Sequence, residues 1–192
     1  MVKNVYAVGF VLFIITMIIF FSLYFFGMNV DYFNNSVLLN AFLLPAVYVA
    51  AAYISVSSAK KMGLPMGFQA VFGRSFKPMF VGGFLSILTM FLFLNFADSD
   101  AKDLLNYQYI ERQKTELKNE YEKAKSVIIE EKEKAELEKN YQNRLQSFSP
   151  EMIKDKDMFS FRQFTYYFGA IMVFYVILSV FFASFFRSRL EE

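Results

Sequence analysis

The 192-residue sequence contains no cysteine and no histidine. Without a thiol or an imidazole, the chain has no ligand set for a Cys/His zinc site or a haem, and it has neither a cysteine nucleophile nor a Ser-His-Asp triad. No disulfide can form. The net charge is only +2, and the basic residues are not gathered in one block, which argues against nucleic-acid binding. We therefore expect no metal, no other cofactor and no nucleic-acid partner.

Charged residues are also missing from four long apolar runs, which cover residues 5–26, 37–56, 78–96 and about 164–186. A helix needs about 20 apolar residues to cross a hydrocarbon core of ~30 Å, and a helix satisfies its own backbone hydrogen bonds in lipid. The first run is too long for the ~7–15-residue core of a signal peptide, and no small-x-small cleavage site follows it. We predict an all-α protein built on a bundle of four transmembrane helices.

The orientation of this bundle follows from the lysine and arginine residues near the helix ends. The short first loop, residues 27–36, contains Asp31 and no basic residue. By the positive-inside rule, both termini and the second loop lie in the cytoplasm of a multi-pass inner-membrane protein. The basic residues that decide this lie before the first helix, in the second loop and after the fourth helix: Lys3; Lys60, Lys61, Arg74 and Lys77; Arg187 and Arg189.

Most of the charge lies in one insertion, residues 97–158, which holds 12 basic and 15 acidic residues. No glycine or proline occurs between residues 97 and 149, and the composition is that of a helix. A single helix over residues 98–147 would be ~75 Å long, whereas residues 148–159 could retrace only ~40 Å. The insertion is therefore predicted to reverse between residues 125 and 132 as a long extramembrane hairpin; alternatively, its helices lie along the membrane surface.

The chain thus divides into three parts. Residues 1–96 hold three membrane helices and a basic cytoplasmic loop at 57–77. Residues 97–158 form the charged periplasmic hairpin. Residues 159–192 hold the fourth membrane helix and a short cytoplasmic tail.

Three adjacent apolar residues, Val127, Ile128 and Ile129, fall at the expected turn of the hairpin. Three neighbours cannot all face one partner helix, and an exposed apolar tip usually marks a contact with protein or membrane. The hairpin is then a docking arm. A self-packed, solvated helical pair is the simpler alternative. A coiled-coil homodimer is a third, although Glu131 and Glu138 fall where its seam would need apolar residues.

Small residues form a face on the third membrane helix at Gly82, Gly83 and Ser86. Such faces let helices approach closely, either within one chain or between partners. We treat the three as candidate partner-binding residues, and we expect the small-residue face of the second helix to pair with them.

The second loop offers a different candidate site, formed by Lys60, Lys61, Arg74 and Lys77. Its simpler interpretation is an anchor that obeys the positive-inside rule. Its functional interpretation is a site for an anionic lipid head group or a phosphate.

No membrane run contains an ionisable residue, which counts against an ion-coupled pump or a buried catalytic carboxylate. We therefore expect no enzyme. The first hypothesis is a non-catalytic accessory or scaffold subunit that positions another membrane protein. The second is a small oligomeric transporter or channel, with Asn40, Ser86, Thr89, Ser179 and tyrosine side chains as its polar path. An envelope sensor that acts through a partner is a weaker third.

One pattern covers nearly the whole chain. Two spans precede a Gly-Phe-Gln-Ala-Val-Phe sequence at residues 67–72, and a third span, a Glu/Lys-rich insertion, Ser149-Pro150 and a last span follow. This order resembles the family catalogued as domain of unknown function 4199, small inner-membrane proteins of Bacteroidota. The resemblance implies four spans and no known catalytic residues. It also implies a candidate partner, since genes of this family often neighbour one for a polyprenyl-phosphate glycosyltransferase.

Overall fold

The computed structural model describes residues 4–153 and 156–188. Lys3 and Arg189, which contributed to the expected orientation, lie outside these residues. The described chain is all-helical and contains no strand. Its seven helices are α1 (Val5–Gly27), α2 (Tyr32–Lys61), α3 (Phe68–Ala97), α4 (Ser99–Val127), α5 (Glu131–Gln146), α6 (Pro150–Ile153) and α7 (Phe161–Phe186).

Four of these helices, α1, α2, α3 and α7, are long and apolar enough to cross a membrane, which confirms the predicted all-α class and its four apolar helices. Two of them contain a short π-helical segment, Leu39–Leu43 in α2 and Phe93–Ala97 in α3. At most 28% of the most apolar stretch of each helix is buried within the chain. The bundle therefore needs lipid or other protein around it.

Side chains and one glycine set the helix ends. Asn4 accepts a hydrogen bond from the Tyr6 amide at the start of α1, and Ser160 accepts one from the Gln163 amide at the start of α7. At the end of α2, Gly63 has a φ of 65°, and the amides of Gly63 and Leu64 donate to the carbonyls of Lys60 and Ala59. This is a Schellman cap, and glycine adopts its left-handed conformation without steric cost.

The second loop is shorter than the expected segment 57–77. Helix α2 continues to Lys61 and α3 begins at Phe68, so only residues 62–67 connect them. Helix α3 also runs through Pro78, which lacks the amide that would donate to the Arg74 carbonyl. The hydroxyl of Ser55 on α2 donates to that carbonyl instead, at 2.7 Å. A hydrogen bond from a neighbouring helix therefore replaces the one that proline removes.

Helix α3 is the centre of the bundle, since it contacts α1, α2 and α7. Helices α1 and α3 run parallel, because Leu12 lies beside Gly82 and Phe20 packs on Phe93 further along both helices. Helix α7 runs antiparallel to α3. The Ser188 amide, just beyond α7, donates to the Met66 carbonyl in the second loop at 3.0 Å. The second loop and the end of α7 therefore lie at the same end of the bundle.

The charged insertion forms two main helices, α4 and α5, separated at residues 128–130. The two contact each other: Tyr121 stacks on Tyr141 with ring centroids 4.4 Å apart, and its hydroxyl donates to the Glu138 carboxylate. Arg144 pairs with Glu120 at 3.1 Å. We call α4 and α5 together the charged arm.

Candidate functional site

The small-residue face on α3 is filled from within the chain. A Cβ atom at Gly82 would lie 2.9 Å from Leu12 Cγ on α1, and one at Gly83 would lie 2.9 Å from Tyr175 Cε2 on α7. Ser86 is also buried. The structure thus leaves no exposed surface at these three residues for the predicted partner. The small residue Ser55 of α2 contacts α3 at the Arg74 carbonyl.

Beside this face lies a small, mostly apolar cavity of about 110 Å³, bounded by α1, α2, α3 and α7. Tyr48 and Tyr175 stack beside it, with ring centroids 5.4 Å apart. The hydroxyls of Ser86 and Ser179 are buried and have no hydrogen-bond partner in the described chain. A buried hydroxyl without a protein partner is a typical position for an internal water molecule. The cavity residues that carry side-chain hydroxyl or amide groups are Thr16, Asn40, Tyr48, Ser86 and Tyr175.

Asn40 contributes less to this cavity than its position suggests. Its side chain is exposed, and its amide group donates to the Ser36 carbonyl on the same helix at 2.7 Å. The side chain thus satisfies its own turn of α2, and the described contacts do not include a bond from it to a neighbouring helix.

At the opposite end of the bundle from the second loop, polar side chains fix the charged arm to the membrane helices. Asn106 on α4 donates to the Asp157 carboxylate at 2.9 Å and accepts from the Met158 amide at 3.0 Å. Lys102 lies 3.5 Å from Asp157. We call this region the insertion junction; its polar members are Tyr24, Asn95, Asp98, Lys102, Asn106, Gln108 and Asp157.

Gln108 connects α4 to the start of α2 and to the loop between α1 and α2. Its carbonyl oxygen accepts from the Phe33 amide at 2.7 Å, and its nitrogen donates to the Asn29 carbonyl at 2.7 Å. Asp98 performs a similar double role, since it accepts from the Tyr24 hydroxyl of α1 and from the Ala101 amide at the start of α4. Below these bonds lies a small apolar cluster that includes Tyr32, Phe33, Leu94, Ala101 and Leu105.

The junction shifts the acidity of two carboxyl groups. The Tyr24 hydroxyl and the Ala101 amide, which donate to Asp98, lower the pKa of its carboxyl. Burial raises the pKa of Asp157, but donors at Asn106 and the Phe159 amide, together with Lys102, outweigh burial, so the pKa of Asp157 lies below its ordinary value. Both groups are therefore held as carboxylates.

Sequence reasoning missed this junction. The only local signal was Asp98, an N-cap residue directly after an apolar run. Asn106, Gln108 and Asp157 lie in a polar segment where nothing in the pattern distinguishes them from solvated neighbours. Their partners are 51 to 79 residues away in sequence.

The apolar tip, Val127–Ile129, lies at the break between α4 and α5. Val127 is 78% exposed and Ile129 is 89% exposed, while Ile128 is half-buried. The described hydrogen bond to α2 that lies furthest along α4 is that from Arg112 to the Asn34 side-chain oxygen, at 3.3 Å. The tip begins 15 residues further on, ~22 Å along a helix. The arm therefore presents an apolar surface well away from its attachment.

The second-loop cations lie at the other end of the bundle. Lys60, Lys61 and Lys77 are exposed, and Arg74 is half-buried. One terminal nitrogen of the Arg74 guanidinium, Nη1, is buried and has no hydrogen-bond partner among the described residues. Arg187 lies next to Ser188, whose amide bonds to the second loop. We call Lys60, Lys61, Arg74, Lys77 and Arg187 the basic end.

An all-helical chain with four such apolar helices is compatible with the class of multi-span helical membrane proteins. The family model described as "Protein of unknown function (DUF4199)" matches residues 7–188, nearly the whole chain, and the chain belongs to this family. The resemblance seen in the sequence is thereby confirmed. Searches of curated proteins and of solved structures found no match.

Proposed function

We propose that this protein is a non-catalytic, integral inner-membrane accessory subunit that binds and positions another membrane protein. The observation that carries the proposal is the charged arm, attached through the insertion junction and ending in an exposed apolar tip. The hydrogen bonds of Asp98 and Gln108 hold α4 against α1, the start of α2 and the loop between them, and those of Asn106 hold it against the segment before α7. An arm fixed in this way can hold a partner at a defined place.

The tip provides the binding energy in this proposal. Val127 and Ile129 are exposed at 78% and 89%, although exposure of large apolar side chains to water is unfavourable. Burying such a side chain on a partner contributes about 1.5–3 kcal/mol. The two together would then contribute about 3 kcal/mol or more, equivalent to at least ~100-fold in affinity.

The orientation is part of the proposal. The basic end faces the cytoplasm, as the positive-inside rule requires, and the charged arm extends as a helical hairpin into the periplasm. Both termini are then cytoplasmic. The contacts between Tyr121 and Tyr141 support a hairpin, since they bring the two helices of the arm side by side.

The candidate partner implied by the family resemblance is a polyprenyl-phosphate glycosyltransferase. An enzyme whose catalytic domain acts at the cytoplasmic face would meet the basic end and the exposed faces of the membrane helices. The tip, on the periplasmic side, would contact only a periplasmic part of that partner. Variants at the two ends therefore report which side of the membrane carries the contact.

The test is affinity purification of the tagged protein from its own membranes in mild detergents. We expect a stoichiometric partner with the wild type and its loss with V127D/I129D. The matched control is Val30→Asp, because Val30 is 89% exposed in the loop between α1 and α2. The control adds a charge at an equally exposed apolar residue away from the tip, and it should retain the partner. A single monodisperse species from the wild type in several mild detergents would contradict the proposal.

The alternative is a small oligomeric transporter or channel, and the hydroxyl and amide groups in the mostly apolar cavity beside Tyr48 and Tyr175 are the observation that favours it. Several copies would have to extend that cavity into a continuous path. Flux in reconstituted liposomes that falls when Asn40 is replaced by leucine would favour this alternative over an accessory subunit.

A further inference from the structure

The charges of the described chain are segregated between the two ends of the bundle. Every described acidic residue belongs to the first loop or to the insertion, and the basic end contains none. The six described ion pairs all lie in the insertion. Outside the described residues, the sequence adds Lys3, Lys154, Asp155, Arg189, Glu191 and Glu192, whose charges cancel. The five cations of the basic end are thus in excess and have no ion-pair partner among the described residues.

Arg74 differs from the lysines around it. Its backbone position is fixed, because its carbonyl accepts from Ser55 and its neighbours Val71 and Ser75 are fully buried against the bundle. Its guanidinium Nη1 is removed from solvent without an acceptor in the described chain. A buried donor that carries charge is costly to leave without an acceptor. The guanidinium therefore has a buried N–H donor that no described residue accepts from.

The surrounding cations favour a negatively charged ligand at this point. Lys77 lies one turn after Arg74 on α3, and its side chain folds back so that its Cε would lie 3.8 Å from a Cβ at Gly73. Lys60 and Lys61 end α2, and α2 packs on α3 through the bond from Ser55 to the Arg74 carbonyl. A guanidinium binds phosphate through two parallel N–H groups, whereas an ammonium acts as a point charge.

We propose that Arg74 binds the phosphate group of an anionic membrane lipid, with Lys60, Lys61 and Lys77 raising the local concentration of that anion. A lipid is favoured over a soluble phosphate because the basic end lies where an apolar helix leaves the membrane, the level at which lipid head groups are found. Arg74 supplies the directional hydrogen bonds, and the lysines supply charge.

A guanidinium site and a simple electrostatic anchor predict opposite effects of two substitutions on lipid binding. An anchor depends on the number of positive charges, so Arg74→Lys would leave lipid binding unchanged and Lys77→Gln would weaken it. A guanidinium site depends on hydrogen-bond geometry. Arg74→Lys then weakens lipid binding about tenfold or more, while Lys77→Gln weakens it only about two- to threefold.

The experiment measures the melting temperature of the purified full-length chain in detergent micelles, titrated separately with phosphatidylglycerol, phosphatidylcholine and inorganic phosphate. We expect wild type to be stabilised by phosphatidylglycerol at the lowest concentration, Arg74→Lys to need at least ~10-fold more, and Lys77→Gln to lie close to wild type. The melting temperatures without lipid show that both variants fold.

Three results would overturn the proposal. The first is equal stabilisation by phosphatidylglycerol and phosphatidylcholine, and the second is an Arg74→Lys titration that matches wild type. The third is an equal effect of inorganic phosphate, which would assign the site to a soluble anion instead of a lipid.

Discussion

The hydrogen bond from Ser55 to the Arg74 carbonyl should be one of the main connections between α2 and α3. Pro78 leaves that carbonyl without its helical donor, and Ser55 replaces the donor at 2.7 Å. The Ser55 side chain is almost completely buried. Substitution of Ser55 by alanine leaves a buried acceptor unsatisfied, and we expect a cost of about 1–2 kcal/mol in the free energy of unfolding.

A double-mutant cycle with Pro78 isolates this effect. In Pro78→Ala the helix regains an amide at residue 78, which can donate to the Arg74 carbonyl in the ordinary way. Ser55→Ala in that background should therefore cost less than about 0.5 kcal/mol. The difference between the two costs is the coupling, whatever Pro78→Ala itself does to packing.

The assay is reversible unfolding in mixed micelles, followed by circular dichroism, for the four members of the cycle. Ser58→Ala is the matched control, since it removes a hydroxyl from a buried residue one turn along α2 and leaves the Arg74 carbonyl untouched. An Ser55→Ala cost that is the same with and without Pro78, or that equals the cost of Ser58→Ala, would refute the reasoning.

Two further predictions concern the bundle and the insertion junction. Gly83→Ala should lower the free energy of unfolding by about 1–3 kcal/mol, because its methyl group meets the Tyr175 ring. Gly169→Ala is the control and should change it little, because a Cβ there would meet no neighbouring part of the described chain within 4 Å. Equal effects of the two substitutions would contradict the packing described. Asp157, whose pKa is lowered, stabilises the folded state above its unfolded-state pKa and loses that contribution as the pH falls through its folded value. The melting-temperature difference between wild type and Asp157→Asn should therefore shrink as the pH falls from about 6 to about 3. A constant difference would show that the charge of Asp157 does not contribute to stability.

The local sequence pattern predicted the presence of the helices more accurately than the residues at which they begin and end. The four apolar runs are visible in the sequence because each is long and free of charge. The starts of α4 and α7 are also visible, as Asp98 and Ser160 are ordinary N-cap residues. For the third span, in contrast, the sequence pattern predicts a start at Pro78. Only the hydroxyl of Ser55, 19 residues away from Arg74, explains why the helix passes through it.

The local sequence pattern also could not show which neighbouring helices the small residues of α3 contact. Gly82 and Gly83 are adjacent on α3, and a helix turns about 100° per residue, so they face different neighbours. Which neighbours these are depends on how α1 and α7 pack on α3. For that reason the partner-binding role predicted for Gly82, Gly83 and Ser86 found no exposed surface, whereas the exposed tip at Val127 and Ile129 remains available as the candidate partner-binding site.

The sequence by itself determined the all-helical class, the number of apolar helices, the segregated charge and the family. These properties depend on composition and on the order of residues along the chain, and they need no knowledge of neighbours in space. Only the tertiary structure decided which glycine meets which helix, how the insertion junction holds α4, and that Arg74 presents a buried donor without an acceptor among the described residues. Each of these depends on atoms brought together from distant parts of the chain, and free energies of packing and hydrogen bonding are set by such contacts.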